Sequence, residues 1–319
     1  MVFAAINLVF VSHPARAGQG STPVILDTDI GGDIDDTWAL GFLLKSPELD
    51  LKLALSDDGM PEYRARLLAR FLTDAGRPDV PVGLGVGARE DKTSASERES
   101  SLTKDYDLKQ YAGPVKTDGV QALIDIVMSS PVPVTIICIG PPRNIAEALK
   151  RQPEIARKAR FVGMFGSVRV GYNGSKTPSA EWNVRASVPS AQATLSAPWS
   201  MITITPLDTC GIVQLTGQEY QEVLNSHDPA ARAVIEGYRS WSSGDQKQAE
   251  TASTTLFDTV AVYLAFSQAG LKMEQLPIVV TDQGMTVIKP GGTTMSVATE
   301  WKDLEGFKRL LVQRLSGTR

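Results

Sequence analysis

Five carboxylates fall within ten residues in Asp27-Thr-Asp-Ile-Gly-Gly-Asp-Ile-Asp-Asp36, directly behind the apolar run Val24-Ile-Leu26. The apolar run reads as a strand and the residues after Asp36 as the start of a helix, with Gly31 and Gly32 permitting a tight turn between them. Carboxylates at that density converge on one strand end and repel one another unless a cation neutralises them. The chain has only two histidines, His13 and His227, and two cysteines, Cys138 and Cys210. Thiolate or imidazole sites of the zinc kind are therefore poorly supported, and hard oxygen ligands favour Ca²⁺ or Mg²⁺. Cys138 lies in the apolar run 134–139 and reads as a buried structural thiol.

Three other readings of the acidic turn are weighed against a metal site. An EF-hand loop counted from Asp27 has Gly32 at its sixth position but Trp38, not Glu, at its twelfth, so it fails. A phosphatase of the haloacid dehalogenase type also begins Asp-x-Asp after a strand, but Gly31 stands where such enzymes carry Thr or Val. The bland reading is an exposed acidic loop, against which the strand, glycines and helix that frame the turn all argue.

The rest of the chain alternates short apolar runs with amphipathic stretches. Strands are expected at 24–26, 51–55, 80–82, 132–139, 161–164 and 202–204, and helices at 36–44, 63–74, 121–128 and 144–150. Further helices are expected within 218–241, 256–266 and 304–315, with short strands near Ile278 and Thr286. The polar stretch 89–111 reads as a loop or lid outside the core. This βαβα order predicts a single α/β domain over 21–319, a mostly parallel mixed sheet flanked by helices in three layers, with the ligand crevice at the carboxyl ends of the strands.

The first twenty residues stand apart. Residues 2–11 are apolar, and Ala15-Arg16-Ala17 offers small residues around a cleavage point, which predicts a secretory signal over 1–20 and a periplasmic or secreted protein, the alternative being cytoplasmic. No other segment approaches ~18 uninterrupted apolar residues, so no membrane span is expected. A net charge of −4 offers no footprint for a nucleic-acid polymer.

The acidic turn resembles the N-terminal motif of the nucleoside hydrolases, the inosine-uridine preferring family, written Asp-x-Asp-Pro-Gly-x-Asp-Asp. Here it is two residues longer, with Asp33 added and Ile30 in place of the proline. Gly140-Pro-Pro-Arg-Asn-Ile-Ala146 is similar to the family's Gly-Pro-Leu-Thr-Asn-Ile-Ala, Phe161-Val-Gly-Met-Phe-Gly166 to the strand that follows it, and Ala180-Glu-Trp-Asn183 to Ala-Glu-Phe-Asn. Thr205-Pro-Leu-Asp208 matches the next strand end, and Phe257-Asp-Thr-Val-Ala261 resembles the late His-Asp-Pro-x-Ala-Val. Order and spacing carry the resemblance over nearly the whole mature chain.

That resemblance implies one Ca²⁺ and hydrolysis of the N-glycosidic bond of a ribonucleoside to ribose and free base. It implies that Asp29 is the general base activating a water held by the metal, and that Asp29, Asp36, Asp258 and the main-chain carbonyl of Arg143 are the metal ligands. Asp35, Asn173, Glu181 and Asn183 would bind ribose hydroxyls, and Asp27 would support the cluster. The chemistry agrees, because glycosidic cleavage through an oxocarbenium-like state needs a carboxylate to activate water. Phe257 stands where the best-known members place a histidine that protonates the leaving base; a phenylalanine can stack on a base but cannot donate a proton. Met60 likewise stands where the family has Asn or Asp near the sugar. His227-Asp228-Pro229 also spells part of the late motif, but Asp228 reads as a helix cap. Trp182 is expected in the core, and Tyr238 and Trp241 as packing residues. Family members are commonly dimers or tetramers, which implies a homo-oligomer. The competing class is a family member that keeps the metal and ribose grip but cleaves weakly or not at all.

Overall fold

The computed structural model describes residues 20–87, 98–242 and 246–317, so the expected signal segment lies outside the described residues apart from Gly20. Ten strands form one sheet: β1 (Thr22–Thr28), β2 (Leu49–Ser56), β3 (Val82–Gly83), β4 (Val115–Lys116), β5 (Thr135–Cys138), β6 (Arg160–Met164), β7 (Met201–Thr205), β8 (Leu271–Val280), β9 (Thr286–Ile288) and β10 (Thr293–Trp301). Their order is β4-β3-β2-β1-β5-β6-β7-β10-β8-β9. Every pair from β4 to β10 is parallel, and β10-β8-β9 closes the sheet with antiparallel pairs. The fold is the expected α/β architecture.

Side chains on a strand alternate between faces, and β1 uses both. Val24 and Leu26 enter the core cluster that holds Trp38 and Phe42 of α1 (Asp35–Leu44) and Leu67 and Phe71 of α2 (Pro61–Asp74). Ile25 enters the opposite cluster, with Leu123 and Ile124 of a helix over Gly119–Ser129 and Ile145 of the helix Arg143–Arg151. Connections leave β1 toward β2 on one side, and β5 pairs with it on the other. The order therefore reverses at β1, and a crevice opens beyond the carboxyl ends of β1 and β5, where an open α/β sheet binds its ligand.

Parts of the chain differ from the sequence expectation, among them the strand Val115–Lys116 and the helix Val188–Ser196. Strand β10 was not foreseen: its Thr- and Ser-rich sequence hides the period, and it is held by pairing with β7 and β8. The stretch 89–111 is not wholly a surface loop. Among its described residues, Glu99, Thr103 and Tyr111 are buried, Ser100–Thr103 is helical, and the Tyr111 hydroxyl donates to the Val80 carbonyl at 2.6 Å. Glu99 is wholly buried, takes hydrogen bonds from Thr37 Oγ1 at 3.4 and 3.5 Å, and is pushed by burial up to about 8.

That carboxyl gives a pH prediction. The folded chain keeps the proton of Glu99 to about pH 8, whereas the unfolded chain releases it near the ordinary 4.5. The unfolded state thus binds fewer protons across that window, and stability falls as pH rises through it. Glu99→Gln is expected to flatten this part of the stability curve and to raise Tm at pH 8 more than at pH 5. Thermal melts across the window check it, and an unchanged slope would refute it.

Candidate active site

The acidic turn is built by closing off its own carbonyls. Gly31 takes φ +90°, a conformation glycine adopts without steric cost. The Ile30 carbonyl accepts from Arg64 Nη1 at 2.9 Å, the Gly31 carbonyl from the Tyr63 hydroxyl at 3.4 Å, and the Gly32 carbonyl from Trp241 Nε1 at 3.1 Å. Tyr63 and Arg64 come from the first turn of α2, and Trp241 from the end of the helix Pro229–Trp241. Trp241, with the Arg98 guanidinium 3.5 Å from its ring centroid, is a pin for this turn. Neither it nor Tyr238 lines the cavity beyond. A Cβ on Gly31 would sit 2.8 Å from the Tyr63 ring. Gly31→Ala is therefore expected to destabilise the fold by about 1–3 kcal/mol from the backbone alone. A denaturant melt equal to that of the wild-type chain would contradict it.

The turn aims its carboxylates into a cavity of about 220 Å³ at the strand ends. Asp29 follows β1 directly. Asp35 and Asp36 open α1, where Thr28 Oγ1 donates to Asp36 Oδ1. Asp258, more than two hundred residues away in the chain, precedes the helix Thr259–Leu264 and comes to the same place. Carboxylate oxygens of Asp35, Asp36 and Asp258 all lie within 4.8 Å of one another, and all three residues are buried. Burial first, and then repulsion from neighbouring carboxylates that include Asp29, hold their carboxyls well above the usual range. Asp29 is raised to about 6, by burial first, with the Arg64 charge opposing the shift. The donor set is oxygen only, and buried carboxylates that repel one another fit a hard divalent cation. The three converging carboxylates differ from the expected set in one respect: Asp35 stands with Asp36 and Asp258, and Asp29 lines the cavity alongside.

Beneath this cluster Asp27 is tied to the frame. Asn144 Nδ2 donates to Asp27 Oδ1 at 2.7 Å and to the Ser56 carbonyl at 3.0 Å, while Asn144 Oδ1 accepts from Val86 N at 2.7 Å. One asparagine thus binds the ends of β1 and β2 to the segment after β3. Cys138 is buried and donates to Asp27 Oδ2, as a structural thiol would. Asp208 accepts from Val168 N and Arg169 N and does not line the cavity. Asp228 caps its helix through Ala230 N and pairs with Lys45, away from the cavity.

The opposite wall holds Glu181 and Asn183, whose two-residue spacing would put both on one face of a strand, but no strand forms here. Glu181 is the N-cap of a short helix, Trp182–Arg185: its carboxylate accepts from Asn183 N at 2.7 Å, Gly166 N at 2.9 Å and Val184 N at 3.3 Å. Burial nevertheless raises it to about 7. Asn183 Nδ2 uses both hydrogens on the carbonyls of Ile139 and Met164, each at 3.1 Å, which leaves its side-chain oxygen to accept from a ligand. Helical placement turns Trp182 outward: it is 37% exposed at the cavity rim, not in the core as expected.

One further expectation is corrected. Asn173 sits at φ +56° in the exposed turn Tyr172–Gly174 and is not part of the cavity lining; its neighbour Tyr172 is. Arg143 opens its helix and does not line the cavity either, but its side chain reaches the site, with Nε donating to Asp58 Oδ1 at 2.6 Å and Nη2 to the Ala186 carbonyl at 2.8 Å. Asp58, at φ +37° after β2, and Arg64 both line the cavity and were not singled out from the sequence. The Asp57-Asp58-Gly59 triplet at a strand end was the available signal. Phe257 lines the cavity beside Asp258, its ring 6.3 Å from that of Tyr172 and nearly perpendicular to it.

Comparisons with known proteins identify the family. The sequence profile of the family described as inosine-uridine preferring nucleoside hydrolase matches residues 24–309. The pyrimidine-specific ribonucleoside hydrolase RihA of Citrobacter koseri is 29% identical over 92% of this chain and 98% of its own length. That of an Enterobacter species is 30% identical, over 92% and 97%. Among solved structures, a plant nucleoside hydrolase, PpNRh1, superposes with a TM-score of 0.79 at 21% identity over 92% of this chain and 99% of its own. A purine-preferring ribonucleoside hydrolase from Gardnerella vaginalis gives 0.76 at 22% identity, over 93% and 98%.

Proposed function

Because the chain belongs to the inosine-uridine preferring nucleoside hydrolase family, we propose that it works with one Ca²⁺ and with Asp29 as its general base. It is a ribonucleoside hydrolase, a glycosidase acting on N-glycosyl compounds. The observation that carries the finer reading is the meeting of Asp35, Asp36 and Asp258 beside Asp29.

Asp36 and Asp258, with Asp29 and the Arg143 carbonyl, are the proposed ligands. When bound, Ca²⁺ supplies positive charge that polarises a water and orients a ribose diol. Asp29 takes the water's proton as the oxygen attacks the anomeric carbon. Asp35 and the oxygens of Glu181 and Asn183 accept from ribose hydroxyls on opposite sides of the cavity. Asp58, held by Arg143, supplies the carboxylate that Met60 lacks. The relatives named pyrimidine-specific support a pyrimidine ribonucleoside as the first substrate to try. Export, with residues 1–20 as signal, and homo-oligomeric assembly complete the proposal.

Release of reducing sugar from uridine, cytidine, inosine and p-nitrophenyl riboside, with Ca²⁺ present, tests the reading. Turnover of at least the nitrophenyl compound is expected, since its leaving group needs no proton. Calcium binding with no turnover of any substrate would favour the sugar-binding alternative.

A further inference from the structure

A nucleoside presents a polar sugar and an aromatic base, and the cavity offers both kinds of lining. Carboxylates line it together with the aromatic side chains of Tyr172, Trp182 and Phe257. The base belongs on the aromatic side, and there the ordinary proton donor is missing because position 257 is a phenylalanine. The other polar groups nearby serve elsewhere. Glu181, as a carboxylate, accepts from three backbone N–H groups and has no proton to donate, Asp58 is paired with Arg143, and Arg64, whose Nη1 donates to the Ile30 carbonyl, lies beside the carboxylates Asp29, Asp36 and Glu99. Tyr172 differs. Its oxygen accepts from Trp182 N at 2.9 Å, and among the described residues its hydroxyl hydrogen has no acceptor. Its ring packs edge-on against Phe257, and its hydroxyl is fixed by the Trp182 backbone beside Glu181.

We propose that Tyr172 is the catalytic residue that assists departure of the base, by donating its phenolic hydrogen bond to the leaving heterocycle. The inference rests on the hydrolase reading above. The bond from the anomeric carbon to the base nitrogen breaks with its electron pair passing to the base. The water oxygen bonds to that carbon, and its proton goes to Asp29. Tyr172 stabilises the departing base anion without surrendering its proton, which burial holds more tightly than in a free phenol. The base then takes its proton from solvent. Such a donor acts on charge that develops only as the bond breaks, so its removal lowers kcat more than it raises KM.

The test compares Tyr172→Phe with the unaltered calcium-loaded enzyme on uridine, inosine and p-nitrophenyl riboside. The expected result is a loss of about 10²-fold in kcat on the nucleosides and less than about 3-fold on the nitrophenyl compound. Adding Phe257→His to the Tyr172→Phe chain is expected to restore part of the nucleoside turnover. Equal losses on all three substrates, or no loss on any, would overturn the proposal. So would a selective loss in Trp182→Phe rather than Tyr172→Phe, since the Trp182 indole N–H is the other donor at this rim. An unaltered enzyme that cleaves none of the three would instead overturn the hydrolase reading, and this proposal with it.

Discussion

Asp258→Asn is expected to abolish calcium binding and nucleoside hydrolysis together while making the metal-free protein more stable. The two effects have opposite sign because they share one cause. Asp258, Asp35 and Asp36 are buried within reach of a single ion; Asp35 and Asp36 raise the proton affinity of Asp258, and Asp29 raises that of all three. Without a cation this repulsion works against folding, and removing one charge relieves it. With a cation the same charges are the binding energy, and removing one leaves the site short of a ligand. The asparagine keeps the shape and can still hydrogen-bond Asp35, and Asp258 makes no side-chain cap bond to the helix that follows. For the unaltered chain, calcium at about 100 times its Kd should add about 2.7 kcal/mol of stability. Melts with and without calcium should show that gain only in the unaltered chain. A calcium gain of the same size in Asp258→Asn would place the ion elsewhere.

Asp29→Asn should cost about 10²- to 10⁴-fold in kcat, the range for removing a general base. The carboxyl lies at the end of β1 and is raised to about 6 by burial, with Arg64 beside it in opposition. It is therefore the group whose protonation closes the reaction on the acid side. The unaltered enzyme should lose kcat/KM as pH falls through about 6 or below, a bound cation drawing the midpoint down. The variant should show a low, flat profile through that range. An Asp29→Asn enzyme that keeps both the rate and the acid limb would assign the base to another residue.

How much of this was legible in the sequence depended on how local each feature was. The carboxylate turn could be read because a strand, two glycines and a helix start lie within twenty residues, and such turns end at the carboxyl edge of a parallel sheet. Asp258 was found through the late motif and the apolar helix that follows it, whereas the role of Asn144, which ties Asp27 to the ends of β2 and β3, shows only in the fold. Glu181 and Asn183 were found as residues but misplaced as structure: a two-residue spacing reads as one strand face, whereas Glu181 caps a helix, and that cap turns Trp182 to the rim. Arg64 could not be read, because a charged residue in a helical pattern looks solvated, and only the fold shows its guanidinium buried under the acidic turn. Tyr172 was passed over in favour of Asn173 for a related reason. The loop conformation, with Asn173 at φ +56°, decides which of the two neighbours faces inward, and no periodicity reports it. The burial of Glu99 depends on a partner, Thr37, sixty-two residues away.

The central claim is that oxygen atoms from distant parts of the chain hold one divalent cation on which cleavage of the glycosidic bond depends. The direct measurement is ribose release by protein stripped with a chelator, assayed before and after calcium is returned. Activity that vanishes on stripping and returns with calcium, at a half-maximal concentration matching the calorimetric Kd for a single site, is the expected result. Full activity after the metal has been removed, verified by elemental analysis, would contradict the account.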